Sequence, residues 1–118
     1  MPTTIRNLSP AEVRAMLQRD EIVLIDVREP AEFGAERIHG ALNLPLSTFD
    51  PLALPRGARE TVVLHCGSGV RSVTAIERCR AAGLSIDAHL AGGLKAWRAQ
   101  GFPTVRLDPN TGGVIDLA

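Results

Sequence analysis

Apolar residues in this chain arrive in two kinds of run. Ile22-Val23-Leu24-Ile25 and Thr61-Val62-Val63-Leu64-His65 are short, continuous and β-branched, which fits central strands of a parallel sheet covered on both faces. Other stretches carry the helical spacing. Ser9-Pro10-Ala11-Glu12 is a capping box with proline at the first helical position, and Val13, Met16 and Leu17 form the stripe of a helix running to about Arg19. Val73, Ile76 and Cys79 define one face of a helix over Arg71–Ala82, stopped by Gly83. Gly92-Gly93 leads into a helix with Leu94 and Trp97 that ends at Gly101.

Weaker signals fill the intervals. Pro30 starts a short helix carrying Phe33, while Ala41–Pro45 and Ile86–Leu90 read as short strands. Ser47–Gly57 reads as a small helix plus a surface loop. From Pro103 the chain turns polar and Gly/Pro-punctuated, so residues 1–103 are expected as one domain and residues 104–118 as a C-terminal tail. Strands alternating with helices predict an α/β fold: a mainly parallel central sheet flanked by helices on both faces. Sites in such sheets lie beyond the carboxyl ends of the strands, here at Asp26, Cys66 and Ala91-Gly92-Gly93.

Composition narrows the function classes. The 118 residues suit one domain, and 13 basic residues cancel 13 acidic ones. No global field favours nucleic acid or an anionic membrane, and 3% aromatic content argues against a base-stacking platform. No apolar run reaches membrane-span length and no secretory signal opens the chain, so the expected location is cytoplasmic. Two cysteines form neither a disulfide scaffold nor a zinc pattern, and three dispersed histidines add no metal site. No cofactor is expected.

The chemistry concentrates in Cys66-Gly67-Ser68-Gly69-Val70-Arg71-Ser72. A strand ends in a cysteine, a glycine-rich loop follows, and a helix begins near Arg71. Backbone N–H groups and a helix N-terminus then converge on the thiol, which lowers its pKa and holds an anion beside it. Cys66 is therefore the candidate nucleophile, with Gly67 through Ser72 as the anion-holding loop. Arg71 is a candidate for stabilising the sulfur or orienting an anionic donor; its plain alternative is a solvated first-turn arginine. Ser68 relays a proton or merely closes the loop, and Ser72 is read chiefly as a helix cap. Arg37 and Asp26 are further candidates for substrate contact. Asp26 and Arg28 are otherwise expected to fix loops, with an ion pair to Glu29 or Glu32. His65 is expected to pack in the core, His39 and His89 to be loop or strand-end residues, Cys79 to be inert and Trp97 to anchor packing.

Several motifs in order resemble the rhodanese (thiosulfate sulfurtransferase) family in its single-domain form. They are Leu24-Ile25-Asp26-Val27-Arg28 with Glu32-Phe33, Arg37 to Pro45, Cys66 to Ser72, and Leu90-Ala91-Gly92-Gly93-Leu94 with Trp97 and Gly101-Phe102-Pro103. The resemblance covers roughly Ser9 to Pro103 and implies a rhodanese-like three-layer fold. Cys66 to Arg71 is cysteine, four residues, then arginine; related phosphatases and arsenate reductases carry one residue more, so the shorter loop favours sulfur over phosphorus. Two positions depart from the usual pattern. Arg37 stands where many members have histidine, and Gly67 stands where Arg or Gln is common. Cys66 to Val70 is closer to the loop of mercaptopyruvate sulfurtransferases, which usually carry Thr at the place of Arg71.

The resemblance implies a double displacement through a Cys66 persulfide. The implied partners are a small sulfur donor (thiosulfate or similar) and a thiol or cyanide acceptor, with a sulfur-relay protein as a further partner. The alternatives are a sulfur-carrier or persulfide-binding module that serves a partner protein and, less favoured, a phosphatase or arsenate reductase.

Overall fold

The computed structural model describes residues 4–55 and 61–117. Arg6–Leu8 forms β1, Pro10–Gln18 α1, Ile22–Asp26 β2, Pro30–Ala35 α2, Glu36–Arg37 β3 and Leu42–Asn43 β4. Two single-turn 3-10 segments, Leu46–Thr48 and Pro51–Ala53, precede β5 at Thr61–His65 and α3 at Val70–Ala81. Ala88–Leu90 is β6, Gly93–Ala99 α4, Thr104–Leu107 β7 and Val114–Leu117 β8. The predicted loop over Ser47–Gly57 is thus largely two 3-10 turns, and its last two residues lie outside those described.

Strands β1-β6-β5-β2-β4 lie in that order in one sheet, and every pairing among them is parallel. The expected α/β architecture with a mainly parallel central sheet is therefore present, with the two continuous apolar runs, β2 and β5, at its centre. Period-two alternation of side chains divides the core in two. Ile22, Leu24, Val63, Ala88 and Leu90 face α1 and α4, where Val13, Leu94 and Trp97 complete one cluster. Ile25, Val62, Leu64 and Cys66 face α3, where Ala75, Ile76 and Cys79 complete the other, with Leu54 closing it from a 3-10 turn. The capping box is formed as expected: Glu12 N–H donates to Ser9 Oγ and Ser9 N–H to Glu12 Oε1, at 3.1 and 3.0 Å.

Four strands were not legible in the sequence. β1 is too short and too polar to register as a strand, and it is held by parallel pairing to β6. The other three form a small antiparallel sheet in the order β3-β7-β8. Residues 104–117, expected as a tail, are a hairpin tied to the body through Arg37↔Val105 and Glu36↔Arg106. Thr104 and Val105 are buried, so this end of the chain belongs to the folded body from its first residues. The anchor is reinforced by Trp97, whose indole N–H donates to the Pro103 carbonyl at 2.8 Å while Phe102 packs edge-on at 5.2 Å.

Candidate active site

Cys66 follows the last residue of β5, where a strand must hand over to a helix on the α3 face. The turn is made by Gly69, which caps α3 with φ +99°, a backbone setting that favours glycine. The first two carbonyls of the loop are engaged by α4. Leu94 N–H donates to Cys66 O at 2.9 Å and Lys95 N–H to Gly67 O at 3.0 Å, so the start of α4 clamps the loop from behind. A Cβ on Gly93 would lie 2.3 Å from Cys66 O, which is why this contact demands glycine.

With these two carbonyls engaged behind, the loop turns N–H groups inward. Gly69 N–H donates to Cys66 Sγ at 3.1 Å and Ser72 N–H at 3.4 Å, with Ser72 Oγ 3.7 Å away. Burial pushes the thiol pKa up, but these hydrogen bonds, the Ser72 hydroxyl and the Ser68 N–H outweigh it, and the net shift is downward. Cys79 is the internal control. It is equally buried, lacks such donors, and its pKa is pushed up to about 11 by burial. Both cysteines are free thiols.

The helix begins at Val70, one residue before the predicted start, and its N-cap is Gly69 rather than Ser72. Ser72 is fully buried, with its hydroxyl between Cys66 Sγ and His89 Nδ1, the latter at 2.7 Å. His89 Nε2 lies 2.7 Å from Asn7 Oδ1 on β1. His89 is expected from sequence only as a loop or strand-end residue but lies inside β6 and beside the site, and Asn7 carries no sequence expectation. Strand parity was the available signal: with Leu8 and Leu90 facing α1 and α4, Asn7 and His89 face α3, like Cys66.

Arg71 is not a free cation. Its guanidinium forms a two-pronged ion pair with Glu32 of α2, at 2.7 and 3.1 Å. The Arg71 hydrogen bonds hold the Glu32 carboxyl down at about 2. Glu32 Oε1 also accepts the Glu29 N–H at 3.0 Å, so the pair ties the loop to the α2 N-terminus. Ser68 and Val70 are exposed at the loop surface, and Gly67 is half-buried with its Cα side toward Arg71. Arg37 lies on β3, half-buried, with its guanidinium over the Phe33 ring at 5.4 Å from the ring centre.

Asp26 is placed differently from the expectation of substrate contact. It is fully buried, and its carboxylate takes the Arg28 guanidinium at 2.8–3.1 Å and the Arg28 N–H at 2.9 Å. Arg28 therefore pairs with Asp26, not with Glu29 or Glu32, and its Nη2 also donates to the Glu36 carbonyl. Asp26 is in register with His65, and both lie on the face opposite Cys66. His65 Nδ1 donates to Cys66 O at 3.1 Å; Nε2 is 3.4 Å from Asp26 Oδ2 without hydrogen-bond alignment. Burial lowers the His65 pKa against the pull of Asp26, keeping the ring neutral. These contacts tie the ends of β2 and β5 to each other and to the start of β3. No group of three or more His, Cys, Asp or Glu among the described residues is arranged to hold a metal. No helix among them is long and apolar enough to cross a membrane.

A five-stranded parallel sheet with a cysteine cradled at the end of its central strand defines a class. The rhodanese-like domain matches residues 9–100, and the chain belongs to that family. An uncharacterised protein of Synechocystis sp. is 43% identical over 99 residues, covering 84% of this chain and 55% of that protein, so the chain spans about half the relative's length. A protein of Allochromatium vinosum named sulfurtransferase is 33% identical over 87 residues, 73% of this chain and 80% of that one. Among solved structures, a rhodanese-related protein of Thermoplasma volcanium superposes with a TM-score of 0.73 at 28% identity, over 85% of this chain and 97% of that one.

Proposed function

We propose that this domain is a sulfurtransferase that moves a sulfane sulfur from thiosulfate or a related donor to a thiol or cyanide through a persulfide on Cys66. The observation that carries the reading is the Cys66 sulfur itself, which accepts N–H groups from Gly69 and Ser72 and has its pKa lowered. In the first step the thiolate attacks the outer sulfur of thiosulfate. The donor's S–S bond breaks, and sulfite leaves with its electron pair. The outer sulfur, now bonded to Sγ, carries negative charge that the inward N–H groups of Ser68, Gly69 and Ser72 stabilise. In the second step a thiophilic nucleophile attacks that sulfur, and the pair of the Sγ–S bond returns to Cys66.

Arg71 acts here through Glu32, holding the loop closed, so an anionic donor meets a neutralised guanidinium at rest. The short Cys66–Arg71 loop supports sulfur over phosphorus as the transferred atom. The relative named sulfurtransferase in Allochromatium vinosum favours the same reading. The test is intact mass after mixing the reduced protein with thiosulfate, beside Cys66→Ser. A gain of one sulfur, about 32 Da, in the parent alone is expected. Release of that sulfur to cyanide or a dithiol marks an enzyme; release only to a partner protein marks a sulfur carrier. No adduct with thiosulfate, mercaptopyruvate or a small persulfide overturns the reading.

A further inference from the structure

Cys66 is 0% exposed at rest, so its proton leaves either by the opening that admits a donor or by a path through the protein. Side chains supply the second. Sγ lies 3.7 Å from Ser72 Oγ, Oγ lies 2.7 Å from His89 Nδ1, and His89 Nε2 lies 2.7 Å from Asn7 Oδ1. Asn7 is exposed on the edge strand β1, so the row runs from the buried thiol to the surface.

Donor and acceptor chemistry fixes its direction. A carboxamide oxygen only accepts, so Nε2 carries a hydrogen. Burial lowers the His89 pKa, so the ring rests neutral and Nδ1 keeps a lone pair toward Ser72. A hydroxyl has one hydrogen, and Nδ1 takes it. Ser72 Oγ is left as an acceptor toward Cys66, matching the direction in which the thiol donates. Among the described residues the hydrogen-bond partners of the His89 ring are Asn7 from β1 and Ser72 from α3, with the Gly69 turn beside the ring and Leu64 of β5 in register, and its titratable neighbour along the row is Cys66.

We infer that Ser72 and His89 form a proton relay for Cys66, with Asn7 holding the imidazole in the tautomer that receives. The thiol proton passes to Ser72 Oγ as the Ser72 hydroxyl proton passes to His89 Nδ1. One S–H bond breaks and one N–H bond forms, Ser72 gives up one hydrogen and gains another, and no atom changes oxidation state. The product is a thiolate and an imidazolium bridged by a hydroxyl that now donates to the sulfur. The relay reverses when the sulfur is reprotonated. Ser72 touches the reacting atom; His89 and Asn7 are positioning residues that act through it. The inference rests on Cys66 as the nucleophile of the proposed function, but concerns its ionisation rather than sulfur transfer.

The test is the pH dependence of Cys66 alkylation by iodoacetamide, followed on the Cys66 peptide by mass, in the full chain. His89→Asn keeps a hydrogen-bond acceptor for Ser72 and removes the titrating ring. Its alkylation midpoint is expected to rise by about one pH unit, a roughly tenfold slower reaction at pH 7. Asn7→Ala shifts the midpoint the same way by less, and Ser72→Ala combined with His89→Asn adds little to either alone, because both cut one path. An unchanged midpoint in His89→Asn with unaltered thermal unfolding overturns the relay. Should that variant not fold, Asn7→Ala together with nitrogen NMR of the His89 ring decides. Nε2–H in the reduced protein at neutral pH, with a shifted Asn7→Ala midpoint, supports the relay; Nδ1–H, or an unshifted midpoint, overturns it. A persulfide that forms normally beside an unshifted profile removes the relay alone. A shifted profile without any persulfide removes the sulfurtransferase reading alone.

Discussion

Two buried histidines sit one strand apart, and they do opposite things. His65 ends β5 on the α1–α4 face, wedged beside Asp26 and Arg28; His89 lies in β6 on the α3 face, hydrogen-bonded to Ser72 and Asn7. Burial lowers the pKa of both. The difference is in what each touches. His65 meets a carboxylate already committed to a guanidinium, so its neighbours are fixed charges that hold a strand end together. His89 meets a hydroxyl that also reaches the Cys66 sulfur, so its neighbour can move a proton. One residue of parity along a strand separates a brace from a part of the site.

The comparison breaks first at the sulfur. Cys66→Ser removes persulfide formation altogether while leaving the thermal midpoint close to the parent's, checked by intact mass and calorimetry. On the other face the effect is expected in stability instead. Arg28→Leu leaves the Asp26 carboxylate buried without its partner, at a cost of about 3–5 kcal/mol in urea unfolding. The alkylation midpoint of Cys66 in the folded fraction should stay where it is; a large shift there would mean that the two clusters are coupled through the Cys66 backbone.

A smaller effect joins the two measurements. Gly93→Ala places a Cβ against Cys66 O and Gly67 and requires a left-handed backbone at φ +61°. About 1–3 kcal/mol of stability is lost, together with slower alkylation, because the loop amides move off the sulfur. Glu32→Gln is the mildest. The Arg71–Glu32 pair is more than a third exposed on both sides, so screening leaves it worth at most about 1 kcal/mol. The depressed Glu32 pKa means that this contribution is present above the ordinary carboxyl value of 4.5 and is lost as pH falls toward about 2. The variant flattens stability over that acid window alone. With Arg71 released, it should also lower the KM for an anionic donor; a KM unchanged or raised would place Arg71 away from the donor's path.

Much of this could be read along the chain because it is local. β2 and β5 declare themselves as unbroken apolar runs, α1 by its capping box, and the Cys66 loop by glycines between a strand and a helix. The misreadings share one cause. Ser72 looks like a cap when only its neighbours in sequence are considered, and Asp26 looks available when its place at a strand end is known but its face is not. β1 and β3 are two or three mostly polar residues, and β7 and β8 only four residues each, so pairing more than local pattern makes them strands.

The sequence by itself determined the central strands, the helices that cover them, and a cysteine with amides turned toward it, since each depends on residues within a few positions of one another. Tertiary structure alone decided which distant side chains meet. Asn7 and His89 are 82 positions apart, His89 and Ser72 are 17 apart, and Glu32 and Arg71 are 39 apart. Periodicity assigns a residue to a face, but strand order and register choose its neighbour there. The placement of β6 between β1 and β5 is what brings His89 between an exposed amide and a buried thiol.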